Sequence, residues 1–152
     1  MSLRERIDAE IKTAMKSKDK VRLETVRGIK KFILEKEVSL RPSGQETLTE
    51  AQELEILMQI AKQRRDSIEQ YRKGGREDLV AQEEAELVIL EEYLPPQMSD
   101  EEVSKVVDEV IASVGATSAK EMGKVMGKAM QQLKGKADGN KIQDMVKAKL
   151  NP

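Results

Sequence analysis

Two consecutive prolines, Pro95 and Pro96, divide this chain more firmly than any other feature of its sequence. Proline has no amide hydrogen, its ring clashes with the preceding helical turn, and it pushes the residue before it out of the helical region. Helical patterning lies on both sides of Leu94-Pro95-Pro96, so no regular helix is expected to run through it. The break predicts two parts, one over residues 1–94 and one over residues 98–152.

Before the break, apolar residues recur at helical spacing. Ser2 with Glu5 has the capping-box pattern ahead of Leu3, Ile7, Ile11 and Ala14. A second helix is expected from Asp19 to Glu37, with Val26, Ile29 and Ile33 on one face. Leu40 to Gln45 has turn composition. Thr49 with Gln52 opens a long helix through Leu54, Leu57, Met58, Ala61 and Ile68, closed by Arg72, Lys73 and then Gly74-Gly75. A Glu-rich fourth helix, about Arg76 to Tyr93, carries Val80, Leu87 and Leu90.

Beyond the break, Ser99 and Glu102 cap a helix with Val103, Val106, Val107, Val110, Ile111 and Val114, ended by Gly115. Ser118 and Glu121 are expected to cap the next, with Met122, Val125, Met126, Ala129, Met130 and Leu133. Gly135 to Asn140 reads as a loop, and Ile142, Met145, Val146 and Leu150 mark a last helix. No stretch keeps a period of two. The expected fold is all-α: about four N-terminal helices including a long helical hairpin, then a small C-terminal three-helix domain.

Composition narrows the chemistry. Of 152 residues, 38% are hydrophobic and 36% charged, too apolar for a disordered chain and too charged for a membrane protein. No apolar run approaches the roughly 20 residues of a membrane span. The N-terminus is charged from Arg4 and is no secretory signal, so the expected location is the cytosol. There is no cysteine and no histidine. That excludes disulfides, thiolate nucleophiles, the usual zinc sites and a Ser-His-Asp triad. No catalytic residue, metal or cofactor is identified. Phe32, Tyr71 and Tyr93 are the only aromatic residues, so the chain has almost no rings on which bases could stack. With a net charge of −1, any contact with nucleic acid must come from a local patch.

Several segments, in order and with matching spacing, resemble the GatB/YqeY family. They are Lys62 to Ser67, Gly75 to Leu79, Tyr93-Leu94-Pro95, Gly115 to Ser118, Met122 to Met126 and Ala137-Asp138-Gly139. The likeness covers nearly the whole chain and is that of the family's stand-alone form. It implies a relation to the tail of the B subunit of glutamyl/aspartyl-tRNA amidotransferase, a module also found attached to some glutaminyl-tRNA synthetases. In both settings the module is thought to help hold tRNA. A family-level label of carbon–nitrogen ligase activity with glutamine as amide donor also follows from the resemblance. That enzyme's kinase and transamidase chemistry sits in its other domains, outside the stretch this chain resembles.

Two surfaces stand out as candidates. On the expected helix from Ser118 to Leu133, Ala119, Gly123 and Gly127 form a small-residue stripe beside Lys120, Lys124 and Lys128. The first expectation is a neighbouring helix packed on the glycines; the functional reading is a nucleic-acid backbone across them, with lysines on its phosphates. The second surface is the loop with Lys134, Lys136, Asn140 and Lys141 around the start of the last helix, where the dipole favours an anion. The bland reading there is a Gly-rich turn with solvated lysines. From Thr117 onward the chain has eight lysines against Glu121, Asp138 and Asp144, a local +5. Arg64, Arg65, Arg72, Lys73 and Arg76 are expected in ion pairs between helices, and the basic stretch from Lys12 to Lys31 reads as a solvated face. Tyr93 is expected to anchor packing between the two parts.

The leading functional reading is a tRNA-associated accessory module of tRNA-dependent amidation or aminoacylation, binding backbone and shape. Its partners would be tRNA and an aminoacyl-tRNA synthetase or amidotransferase, with no membrane. The alternative is a helical protein–protein adaptor docking on such an enzyme without RNA contact. An independent enzyme using Glu and Lys is the least favoured.

Overall fold

In a computed structural model the structure describes residues 1–151. Among them are seven α-helices and no strand: α1 (Leu3–Ser17), α2 (Lys20–Leu40), α3 (Glu50–Lys73), α4 (Glu77–Glu91), α5 (Asp100–Val114), α6 (Met122–Leu133) and α7 (Gly139–Leu150). The fold is all-α.

The chain forms two compact units, one from Met1 to Leu94 and one from Pro95 onward. In the first, α1 pairs with α2 and α3 with α4. Side-chain oxygens start three of these four helices. Ser2 accepts from the Glu5 amide at 3.2 Å, and Asp19 from the Arg22 amide at 3.1 Å. Thr49 and Gln52 form a reciprocal capping box. Helix α2 runs three residues past the expected Glu37 and ends in a tight turn over Arg41–Ser43, with Gly44 at φ 84°. Ile7, Val26, Ile29, Ile33, Ile60 and Leu90 make the centre of this unit's core. At the end of α4 the bonds tighten: the amides of Glu92, Tyr93 and Leu94 reach back only three residues. The helix is thus wound down before Pro95, which the restriction on the residue preceding proline demands.

In the second unit each helix gives one aliphatic stripe at successive turns. Val103, Val107 and Val110 come from α5, Val125, Ala129 and Leu133 from α6, and Ile142, Val146 and Leu150 from α7. Ser99 accepts from the Glu102 amide, and Gly115 closes α5 in the left-handed region at φ 67°. The segment after the prolines is tied to the α6–α7 loop: the Met98 amide donates to the Lys136 carbonyl at 2.8 Å, and the Gln97 amide group to the Gly135 carbonyl at 2.7 Å.

Leu133 is 1% exposed and is the largest buried side chain that α6 gives to this core. Leu133→Ala should cost about 2–5 kcal/mol through lost burial and a residual cavity, read as a lower midpoint in urea unfolding.

Candidate nucleic-acid interface

One expected cap does not form. Ser118 makes no side-chain cap bond, and the Glu121 carboxylate accepts from the Thr117 amide at 2.6 Å. The chain makes a short 3₁₀ turn over Ala119–Glu121 and α6 begins only at Met122. Ala119 and Lys120 therefore stand on that turn, ahead of the helix.

Along α6, Val125, Ala129 and Leu133 point inward, which turns Gly123, Lys124, Gly127 and Lys128 to solvent. A Cβ placed on Gly123 or Gly127 would meet nothing within 4 Å. The expectation that a neighbouring helix packs on these glycines is thereby corrected. The close approach in this unit falls instead at Gly139, where a Cβ would lie 3.5 Å from the Met130 methyl. A bare glycine flank is left on α6, with lysines one helical step away.

The lysines themselves divide into engaged and open. Lys120, Lys124, Lys128, Lys134, Lys136 and Lys141 are all exposed, as is Asn140. Helix α5 carries Asp100, Glu101, Glu102, Asp108 and Glu109, and it draws cations from its neighbours. Lys141 pairs with Asp100 at 2.5 Å, Lys149 with Asp108 at 2.7 Å, and Lys128 donates to the Ser113 hydroxyl at 2.8 Å. Lys120, Lys124 and Lys136 make no ion pair among the described residues. The start of α7 is already served: Asp138 is its N-cap and accepts from the Asn140 amide at 3.2 Å. The anion-favouring end of α7 thus holds the chain's own carboxylate. The open cationic surface is therefore smaller than the local +5 suggests, and it centres on the α6 flank.

The other basic cluster is consumed inside the first unit. Arg64 bonds Glu86 and holds Glu83 at 3.2 Å, Arg72 holds Glu84 at 2.7 Å, and Arg65 lies 3.7 Å from Glu91. Lys73 and Arg76 pair locally with Glu69 and Asp78. The guanidinium of Arg76 also holds the Asp78 carboxyl below its usual range. Tyr93, expected between the two parts, packs against the first unit's own core, with the Arg6 guanidinium 5.0 Å from its ring centre. Burial, and next Glu10, push its hydroxyl above the ordinary tyrosine value.

The model of the Yqey-like protein family matches residues 4–150. The chain belongs to that family. Two relatives match most of its length. One, from Pyrenophora tritici-repentis, is 31% identical over 95% of this chain and 81% of its own; the other, from Kluyveromyces lactis, is 33% identical over 91% and 71%. Both are named "Altered inheritance of mitochondria protein 41, mitochondrial". These names overturn the expectation of a cytosolic location. That expectation removed only a secretory signal and then took the cytosol by default; a charged, helical N-terminus distinguishes no other address.

Two outcomes follow from the geometry. Gly127→Ala should stabilise the Yqey-like chain by about 0.5–1 kcal/mol, and Gly123→Ala, in the first turn of α6, by less, because alanine favours the helix and meets no neighbour. A loss in thermal melting would mean that something does pack there. Arg64→Ala should cost about 1–3 kcal/mol by leaving Glu86, 8% exposed, without its charged partner, as measured by urea unfolding.

Proposed function

We propose that this Yqey-like protein is a tRNA-associated accessory module, one that grips the backbone and shape of tRNA for an amidation or aminoacylation enzyme and leaves the chemistry to that enzyme. The observation that carries the reading is the bare flank of α6, where Gly123 and Gly127 face open solvent beside Lys124 and Lys128. Glycine inside an exposed helix costs stability and here returns no packing. An incoming ligand that needs close access to the helix backbone would give these two glycines a use. Lysines beside such a path suit phosphates, which position a nucleic acid without reading its sequence. The near absence of aromatic side chains fits the same mode. The likeness to the amidotransferase B-subunit tail supplies tRNA as the nucleic acid.

The test is binding of purified chain to tRNA across a salt series. Three open lysines on phosphates would contribute roughly two to three units to the slope of log K against log salt. Lys124→Ala with Lys136→Ala should weaken binding alike for all tRNA species and flatten the slope by about two. Gly123→Leu, whose Cβ would meet no neighbour, should weaken binding without lowering thermal melting. If the double lysine variant binds as the parent does at every salt concentration, this face is not the RNA site and the adaptor reading takes its place.

A further inference from the structure

The largest excess of positive charge in the chain lies outside the surface just described. Residues 12–31 carry eight cations against Asp19 and Glu24 alone. The structure separates those cations into two sets. Arg22 is structural: it bridges Glu10 at 2.8 Å and Glu92 at 2.9 Å, and these bonds hold its guanidinium above the ordinary arginine value. Lys30 is held by Asp8 at 2.6 Å. Lys12, Lys16, Lys18, Lys20, Arg27 and Lys31 remain, all exposed and without an ion pair among the described residues. The carboxylate of Asp19 is itself occupied, capping α2 and lying 3.7 Å from the Arg22 side chain.

The placement of this second set is ordered. At about 100° and 1.5 Å per residue, Lys20, Arg27 and Lys31 fall within roughly 40° of one another and span about 16 Å along α2. Lys12 and Lys16 occupy successive turns of α1, and Lys18 sits on the connecting turn at φ 58°. Glu24 stands at the edge of the α2 row, about 40° from Lys20. A row of cations running along a helix is matched by a linear polyanion. The exposed apolar side chains of the two helices lie at the ends of this row, Met15 and Val21 by the turn and Leu34 and Val38 on α2 beyond Lys31. The cations between them, spread over about 16 Å of α2, suit a row of phosphates.

We infer that the solvent face of the α1–α2 hairpin is a second phosphate-contacting surface for RNA, so that each unit of the chain carries its own footing on the ligand. This rests on the RNA-binding reading above and adds a site to it. Two footings joined by a short linker turn the second contact into an intramolecular one, which raises affinity without any stronger individual bond.

The experiment compares three full-length proteins binding tRNA over a salt series: the parent, Lys20→Gln/Arg27→Gln/Lys31→Gln, and Lys124→Ala/Lys136→Ala. The hairpin variant should flatten the slope by about two to three units and weaken low-salt binding by roughly tenfold or more. Thermal melting should stay unchanged, since the three side chains are exposed and unpaired. If the hairpin variant matches the parent while the tail variant has lost affinity, the second surface is refuted and the tail site stands. If the tail variant matches the parent while the hairpin variant has lost affinity, the hairpin is the RNA surface and the tail assignment falls. Binding of the parent to vesicles of anionic lipid but not to tRNA, lost in the hairpin variant, would overturn RNA as the occupant in favour of a membrane surface. A parent that binds neither would refute both sites.

Discussion

Each helix in this chain buries one narrow stripe of aliphatic side chains, and everything else in the structure is arranged around that limit. With three aromatic residues in 152, there is no large side chain to bridge a wide gap. Helices must therefore come close, and they do so through Val, Ile, Ala and Leu at successive turns. A stripe of this width serves a helix pair or a three-helix unit, and it cannot be extended through Pro95 and Pro96. Two small cores on either side of the proline pair follow from the same constraint, each closed by its own helix caps.

Narrow stripes leave most of every helix in water, and the charges on those exposed faces then sort themselves. In the first unit the acids of α4 take up the arginines of α3, and Glu10, Glu92 and Asp8 take up Arg22 and Lys30. In the second, acidic α5 takes up Lys141 and Lys149. Exposed pairs of this kind contribute little to stability, on the order of 0–1 kcal/mol each. Their larger effect here is subtraction. They remove cations from the surface and leave open ones on and beside the α6 flank and along the α1–α2 hairpin, among others.

Much of the fold was legible because its signals are local. Caps at Ser2, Thr49 and Ser99, the helix-ending Gly115 and the spacing of Val103, Val107 and Val110 depend on residues a few positions apart. The pairing of Arg64 and Arg72 with the Glu-rich helix was also legible, since a hairpin brings consecutive helices together. The candidate site was less so, because its character depends on what is absent. Ser118 and Glu121 have the right spacing for a cap, yet the Glu121 carboxylate reaches Thr117 and delays the helix. Gly123 and Gly127 look like a packing stripe, but whether a helix lies across them is a tertiary fact that spacing does not carry. The charge count from Thr117 onward likewise could not reveal that α5 neutralises part of it.

What the two glycines and the open lysines have in common is that neither improves the fold. An exposed helical glycine weakens its helix, and an unpaired exposed lysine adds nothing to a core. A chain selected for stability alone would replace the first with alanine and balance the second with acids, as it has done elsewhere along α3 and α4. Recognition through shape and phosphate asks for this combination: a low, unobstructed surface and mobile cations at its edge. Base stacking would need aromatic rings that α6 does not carry, and sequence readout would need a rigid array of polar groups that it does not present. If the surface binds a polyanion as proposed, what it supplies is grip, with selection among ligands coming from their contour.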